Sequence, residues 1–254
     1  MKKLVICNQW EIPVDENLFG MKPQKWQPFF QHFSSRRMPE LALFTQCWYR
    51  LVEYIAVNSN TNVNSVVEYF GGAGRASKIV QGLLYPNHHI IVEYDDLVCE
   101  HLRNAFKNVP GVVIVNGDSY ELAGTYACDL VSWDEDFTLH RLLYNTKVSG
   151  AISRLFYNEP RFVQIADMAA SRFPLNRKVY SVDSGVNMNK VDDYYVGLSE
   201  VLYKLFGYSI SFVARYGKLA CVLAEPGRHD VSIWVVENTR DAEIYRKYLR
   251  IEEC

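Results

Sequence analysis

The chain has 254 residues, of which 49% are hydrophobic and 22% charged, and its 27 Lys and Arg against 29 Asp and Glu leave a net charge of −2. This composition is ordinary for a globular protein and excludes a disordered or fibrous chain. It carries no basic excess of the kind that coats long nucleic acids, and no run reaches the ~20 apolar residues of a membrane span.

Residues 1–38 are rich in aromatics, Pro and Gln with irregular spacing, and they read as an N-terminal extension with little regular structure. The apolar stretch within MKKLVICNQWEIP is too short for a signal peptide. From Pro39 to Val57 apolar residues recur at helical spacing, with Pro at a first-turn position. The polar loop NSNTNVN follows, and then strands and helices alternate. Strands are predicted at 64–70, 89–95, 111–118, 127–135 and 161–169, and helices at 74–84, 96–106, 138–145 and 192–207. Gly207 supplies the stop of the last helix. Two long strands, 208–227 and 230–238, complete the pattern, joined by the turn EPGRHD. Strands spaced by helices predict βαβ units and a mostly parallel sheet, and the final pair, with no helix between them, is expected to run antiparallel. Residues 1–63 are expected to form a helical cover over a domain at 64–254.

Cys7, Cys47, Cys99, Cys128, Cys221 and Cys254 are scattered, with no CxxC or Cys/His set at zinc spacing. Most sit in apolar runs, which predicts reduced, buried thiols and a cytoplasmic protein with no membrane partner. His88 and His89 are read as part of a turn before the second strand. They are not expected to form a metal site, because neighbours on a strand point to opposite faces.

Four markers fall at strand ends. The first is Glu68-Tyr69-Phe70-Gly71-Gly72-Ala73-Gly74, where glycines let the backbone approach a ligand closely. The second is Glu93, 19 residues after Gly74, followed by Tyr94, Asp95 and Asp96. A carboxylate there can accept two hydroxyls at once, whereas Asp95 and Asp96 read as helix-start residues. The third is Asn116-Gly117-Asp118-Ser119, and the fourth is Asp129-Leu130-Val131-Ser132-Trp133-Asp134-Glu135-Asp136-Phe137.

In this order the markers resemble the class I, Rossmann-like S-adenosylmethionine-dependent methyltransferases over residues 64–238, about two thirds of the chain. The resemblance implies an α/β three-layer sandwich around a mostly parallel seven-stranded sheet ending in an antiparallel hairpin. It implies S-adenosylmethionine as cofactor, held by Glu68, Phe70, Gly71, Gly72, Gly74, Glu93, Tyr94, Asp118 and Ser119. Glu68 would bind the amino group, often through water, Glu93 the ribose and Asp118 the adenine amino group. Where amino-methylating DNA enzymes carry [DN]PP[YF], this chain has Asp134-Glu135-Asp136-Phe137, and the absent prolines argue against standard adenine-N6 or cytosine-N4 methylation. No Pro-Cys nucleophile for cytosine-C5 chemistry occurs. Two other readings stay open: a cofactor-binding module without catalysis, and a nicotinamide-dependent oxidoreductase, whose glycine pattern Gly72-x-Gly74-x-x-Ser77 meets only loosely.

Asp134 and Glu135, after the fourth strand, and Asp167, after the fifth, are the candidate catalytic residues, because ligands of open α/β sheets bind beyond the carboxyl ends of the strands. They suit a general base for an amine or hydroxyl acceptor. Asp134 and Asp167 alternatively suit a divalent cation, although Met168 stands where metal-dependent O-methyltransferases usually carry Asn. A solvated acidic loop is the competing structural reading. For the acceptor, the Phe-Gly-Gly-Ala-Gly loop and an N-terminal region bearing Trp26, Phe29, Phe30, Phe33, Arg36, Arg37, Trp48 and Tyr49 favour a nucleic acid over a protein or small molecule. Those aromatics suit helix-on-sheet packing better than base stacking. Arg36, Arg37, Arg75, Arg172, Arg177 and Lys178 are the candidate phosphate contacts.

Overall fold

The computed structural model describes residues 2–5, 38–58, 62–72, 74–135, 142, 145–167, 191–216 and 219–236. In chain order these form β1 (Lys2–Val5), α1 (Met38–Asn58), β2 (Ser65–Tyr69), α2 (Arg75–Leu83), β3 (His88–Glu93), α3 (Asp96–Phe106), β4 (Val112–Asn116), α4 (Ser119–Leu122), β5 (Leu130–Trp133), α5 (Thr146–Tyr157), β6 (Phe162–Asp167), α6 (Val191–Phe206), β7 (Tyr208–Tyr216), β8 (Leu219–Pro226) and β9 (Ser232–Val236).

One sheet orders its nine strands β1-β9-β7-β8-β6-β5-β2-β3-β4. The run from β4 through β6 is parallel, and β8 pairs antiparallel with both β6 and β7. The seven strands from β4 to β7 are therefore a mixed sheet with a parallel core and an antiparallel hairpin, the Rossmann-like arrangement of class I methyltransferases. β1 and β9 extend it beyond β7.

Three details differ from the sequence expectation. The run 208–227 is not one strand: the chain reverses between Tyr216 and Leu219, and β7 and β8 are the hairpin. The strand near 230–238 is not antiparallel to its neighbours; β9 lies parallel to β7 and to β1. Its connection from β8 passes β7, with Ser209 Oγ donating to Gly227 O at 2.7 Å and accepting from His229 N at 2.8 Å. Lys2–Val5, read as part of an irregular extension, is a strand. The helix expected at 138–145 falls mostly outside the described residues. Helix α5 follows it, capped by Asn145, whose side chain accepts from the amides of Lys147 and Val148.

Alternation along each strand sends one set of side chains to each face. Val67, Tyr69, Val131 and Trp133 face α5 and α6, where Val148, Ile152, Leu155, Tyr194, Tyr195 and Leu198 complete a buried cluster. Val66 and Leu130 face the other way, onto Trp48, Leu51, Ile55, Ile79 and Val80 of α1 and α2. Helix α3 closes the same side through Val98, Leu102 and Phe106 against Ile91. Helices thus cover both faces, which is why the parallel strands read as continuous apolar runs. Each large aliphatic or aromatic side chain so buried stabilises the fold by about 1.5–3 kcal/mol. Asp129 fixes the register of β5 on β2: its Oδ2 accepts from Asn64 N at 2.8 Å, Ser65 N at 2.9 Å and Ser65 Oγ at 2.9 Å.

The order of strands reverses between β2 and β5: the chain runs outward through β3 and β4 on one side and through β6 on the other. That switch point opens a crevice at the carboxyl ends of β2 and β5.

Candidate active site

The turn after β2 starts with strain. Phe70 has φ 62°, the left-handed region, where a bulky residue is costly by about 1–3 kcal/mol. Two contacts offset this cost. Its amide donates to Ser119 Oγ at 3.0 Å, and its ring meets Trp133 and Tyr120 edge-on at 4.8 and 5.4 Å between centroids. Gly71 then passes so close to β3 that a Cβ there would lie 2.3 Å from Ile91 Cγ2, while its amide donates to Val92 O. Gly72 has φ 48°, and among the described residues an added Cβ there would meet Phe70 O alone, at 3.8 Å.

Glu93 ends β3 and closes the turn. Its Oε2 accepts from Gly72 N at 2.8 Å, and its Oε1 accepts from Tyr94 N at 2.8 Å and Asp95 N at 3.0 Å. The Tyr94 side chain is 74% exposed. Asp95 caps α3 by accepting from the amides of Leu97 and Val98. At the end of β4, Asp118 caps α4 through Tyr120 N at 2.8 Å. Its other oxygen pairs with Lys147 Nζ at 3.1 Å, and that ammonium lies 4.5 Å from the centre of the Tyr120 ring. The Tyr120 hydroxyl donates to Glu135. Hydrogen bonds therefore join Phe70, Gly72, Glu93 and Ser119 in the floor of one crevice, with Asp118 and Glu135 reached through Tyr120.

A second group lies on the α1 face of the same strand ends. Glu68 is fully buried, and its Oε2 accepts from Ser77 Oγ at 2.6 Å. Among the described residues no partner meets its Oε1. Its neighbours at the same level, Ser132 on β5 and Gln164 on β6, are also fully buried polar residues. Asp134 follows β5 on this face. Burial pushes its pKa up to about 8, the Glu68 carboxylate adds to the rise, and hydrogen bonding from Trp48 and the charge of Arg75 oppose it. Burial lowers the Arg75 pKa, against the pull of Asp134. Asp134 is thus a carboxyl group poised to hold or release a proton near neutral pH.

Of the residues predicted from sequence, Asp167 does end β6, but its side chain lies outside the described residues, as do Arg36, Arg37, Arg172, Arg177 and Lys178. Arg75 is half-buried, with Asp134 as a charged neighbour. Trp48 is buried in the α1 layer, where it packs on the sheet. His88 and His89 belong to β3, not to a turn before it, and His89 is fully buried. The sequence reading did not assign Trp48, Arg75, Ser77, His89 or Lys147 to the crevice with these partners. Only Ser77, at helical spacing after the glycine turn, left a sequence signal.

No family model matches this chain, and no curated protein matches it by sequence. Solved structures share its fold. Magnesium protoporphyrin IX methyltransferase (ChlM) from Synechocystis PCC 6803 with bound SAH superposes with a TM-score of 0.51 at 15% identity, over 85% of this chain and 98% of that one. The same enzyme with bound SAM gives 0.51 at 15%, over 85% and 96%. The methyltransferase domain of bacterial CtHen1-C gives 0.50 at 12%, over 73% of this chain and all of that one, 100%. At these identities the likeness is one of fold.

Proposed function

We propose that this chain is an S-adenosylmethionine-dependent methyltransferase. The observation that carries the reading is the convergence of the Gly71–Gly72 turn, Glu93 and a buried oxygen of Glu68 that has no partner among the described residues, at the switch point of a class I methyltransferase sheet. The residues fit that cofactor. Glu93 offers a carboxylate to the ribose hydroxyls, sharing lone pairs with the backbone amides it already accepts. Glu68 offers an anionic oxygen to the amino group, directly or through water. Asp118 and Ser119 lie where the adenine is expected, with Lys147 sharing Asp118. Phe70 and the exposed Tyr94 supply ring faces, and Gly72 leaves the turn without a side chain in the way, while Gly74 lets the turn pack against Leu102 and Phe106 of α3.

The cofactor supplies an electrophilic methyl group on a sulfonium. The chain's own part is to hold the acceptor and accept its proton. Asp134, at the carboxyl end of β5, suits that task, with a carboxyl group whose pKa burial pushes up to about 8. Glu135 and Asp167, at neighbouring strand ends, orient the acceptor. We carry a nucleic acid forward as the acceptor class, over a protein or small molecule, on the loop form Phe70–Gly74 and the arginines Arg36 and Arg37.

Calorimetric titration tests the cofactor. S-adenosylhomocysteine is expected to bind, and NADH to give no heat. NADH binding without S-adenosylhomocysteine binding would move the chain to the oxidoreductases. The acceptor class is tested with mixed RNA and DNA oligonucleotides between low and physiological salt. Micromolar binding with a steep salt slope, weakened by Arg36→Ala with Arg37→Ala, is expected. Flat, millimolar binding to every oligonucleotide would move the acceptor to a protein or small molecule.

A further inference from the structure

We infer that His89 is a positioning residue for the cofactor site, acting through Glu68; the inference rests on the cofactor reading above. Both side chains are fully buried on adjacent strands, β2 and β3, on the face that meets α2. His89 pairs in register with Val66, so it sits diagonal to Glu68 on the same face. Its Nε2 is 3.4 Å from Glu68 Oε2, a close polar contact outside hydrogen-bond geometry. Its Nδ1 is 3.0 Å from the Gln81 side-chain nitrogen. An amide nitrogen only donates, so Nδ1 is the acceptor and the neutral ring carries its proton on Nε2, facing Glu68.

The arrangement gives the two Glu68 oxygens different fates. Oε2 accepts from Ser77 Oγ at 2.6 Å, and the edge of the His89 ring lies against it at 3.4 Å without a hydrogen bond. Oε1 has no partner among the described residues. A buried anionic oxygen is costly unless something donates to it. The clamp on Oε2 therefore fixes the carboxylate with its other oxygen ready for a donor, and the ammonium group of an amino-acid moiety, directly or through one ordered water, is the chemistry that suits it. Gln81 fixes the ring tautomer. Without it, the proton is free to move to Nδ1, and Nε2 then turns a lone pair, not an N–H, toward Glu68.

The test has a ligand-free arm and a ligand arm. In ligand-free protein, long-range 1H–15N correlation of the histidine rings, with the His89 signals identified through His89→Gln, is expected to show the Nε2–H tautomer. An Nδ1–H tautomer would overturn the inference. In the ligand arm, His89→Leu is expected to weaken S-adenosylhomocysteine binding about fivefold, because the apolar side chain leaves Glu68 Oε2 with Ser77 as its one polar neighbour among the described residues. His89→Gln, which keeps a donor, is expected to recover most of it. Gln81→Leu alters only a half-buried side chain and keeps the test usable if His89→Leu does not fold; about threefold weaker binding is expected. In a Glu68→Gln background the His89→Leu change is expected to add little, because the two act as one unit. A purely structural His89 would lower the melting temperature of all variants and leave these affinity ratios near one. Wild-type binding that His89→Leu and Gln81→Leu leave unchanged would overturn this inference alone. Wild-type protein that binds no S-adenosylhomocysteine would overturn the cofactor reading and this inference together.

Discussion

Replacing Asp134 with asparagine is expected to lower kcat by about 10²–10⁴-fold, the range for loss of a general base, with cofactor Kd nearly unchanged. The split follows from position. Asp134 lies at the end of β5, beside the Glu68 carboxylate and the Arg75 guanidinium, whereas Glu93 is the carboxylate that holds the Gly72 turn. The pH profile carries the same signature. A carboxyl group that ionises near pH 8 is mostly protonated at neutral pH, so wild-type kcat is expected to rise through about pH 8. Stability moves the other way. The folded-state pKa stands above that of the unfolded chain, so the folded state binds the extra proton. The resulting stabilisation is fully present below the unfolded pKa and is lost as pH rises from about 4 through about 8. Asp134→Asn removes that titration, and urea unfolding at several pH values is expected to show a flatter stability profile for the variant. Full activity in Asp134→Asn would return the acidic segment to the status of a loop.

Replacing Glu93 with alanine is expected to weaken S-adenosylhomocysteine binding by about 1.5–3 kcal/mol, roughly 10- to 150-fold. Two losses combine. The ribose loses its carboxylate, and the Gly72, Tyr94 and Asp95 amides lose their acceptor, so the turn is no longer held in its binding form. Calorimetry on a variant whose circular dichroism matches the wild type separates binding from unfolding. Unchanged affinity would remove Glu93 from the cofactor site.

The alternation of strands and helices from Ser65 to Phe206 is legible because apolar runs of strand length are separated by amphipathic helices with clear caps, such as Asp95 before α3. The end of the sheet is less legible. YSISFVARYGKLACVLAEPG keeps an apolar pattern across its reversal, and one glycine within it reads as a local irregularity. The short link from β8 to β9 invites a hairpin, yet the partner β9 takes is β7, one strand further back in the chain. Helix α5 carries a usable signal, with Asn145 as cap and Val148, Ala151, Ile152, Leu155 and Phe156 buried at helical spacing.

The crevice divides the same way. The glycine turn and Glu93 are visible in sequence because a strand-to-helix turn and the next strand end are neighbours in any βαβ unit. The bonds from Phe70 to Ser119 and from Lys147 to Asp118 join residues 49 and 29 positions apart and leave no local pattern. His89 is a case of its own. Two adjacent histidines point to opposite faces of a strand, and only the sheet's surroundings decide that His88 is exposed while His89 is buried against Glu68.

The central claim is that this crevice moves a methyl group. Incubating the purified protein with S-adenosylmethionine labelled in its methyl group, and with RNA, DNA, protein and small-molecule fractions of a cell extract, tests it most directly. The account predicts label transferred to one fraction, with equimolar release of S-adenosylhomocysteine, and loss of both in Asp134→Asn. Cofactor binding with no label transferred to any fraction and no S-adenosylhomocysteine released would contradict it and leave a cofactor-binding module without catalysis.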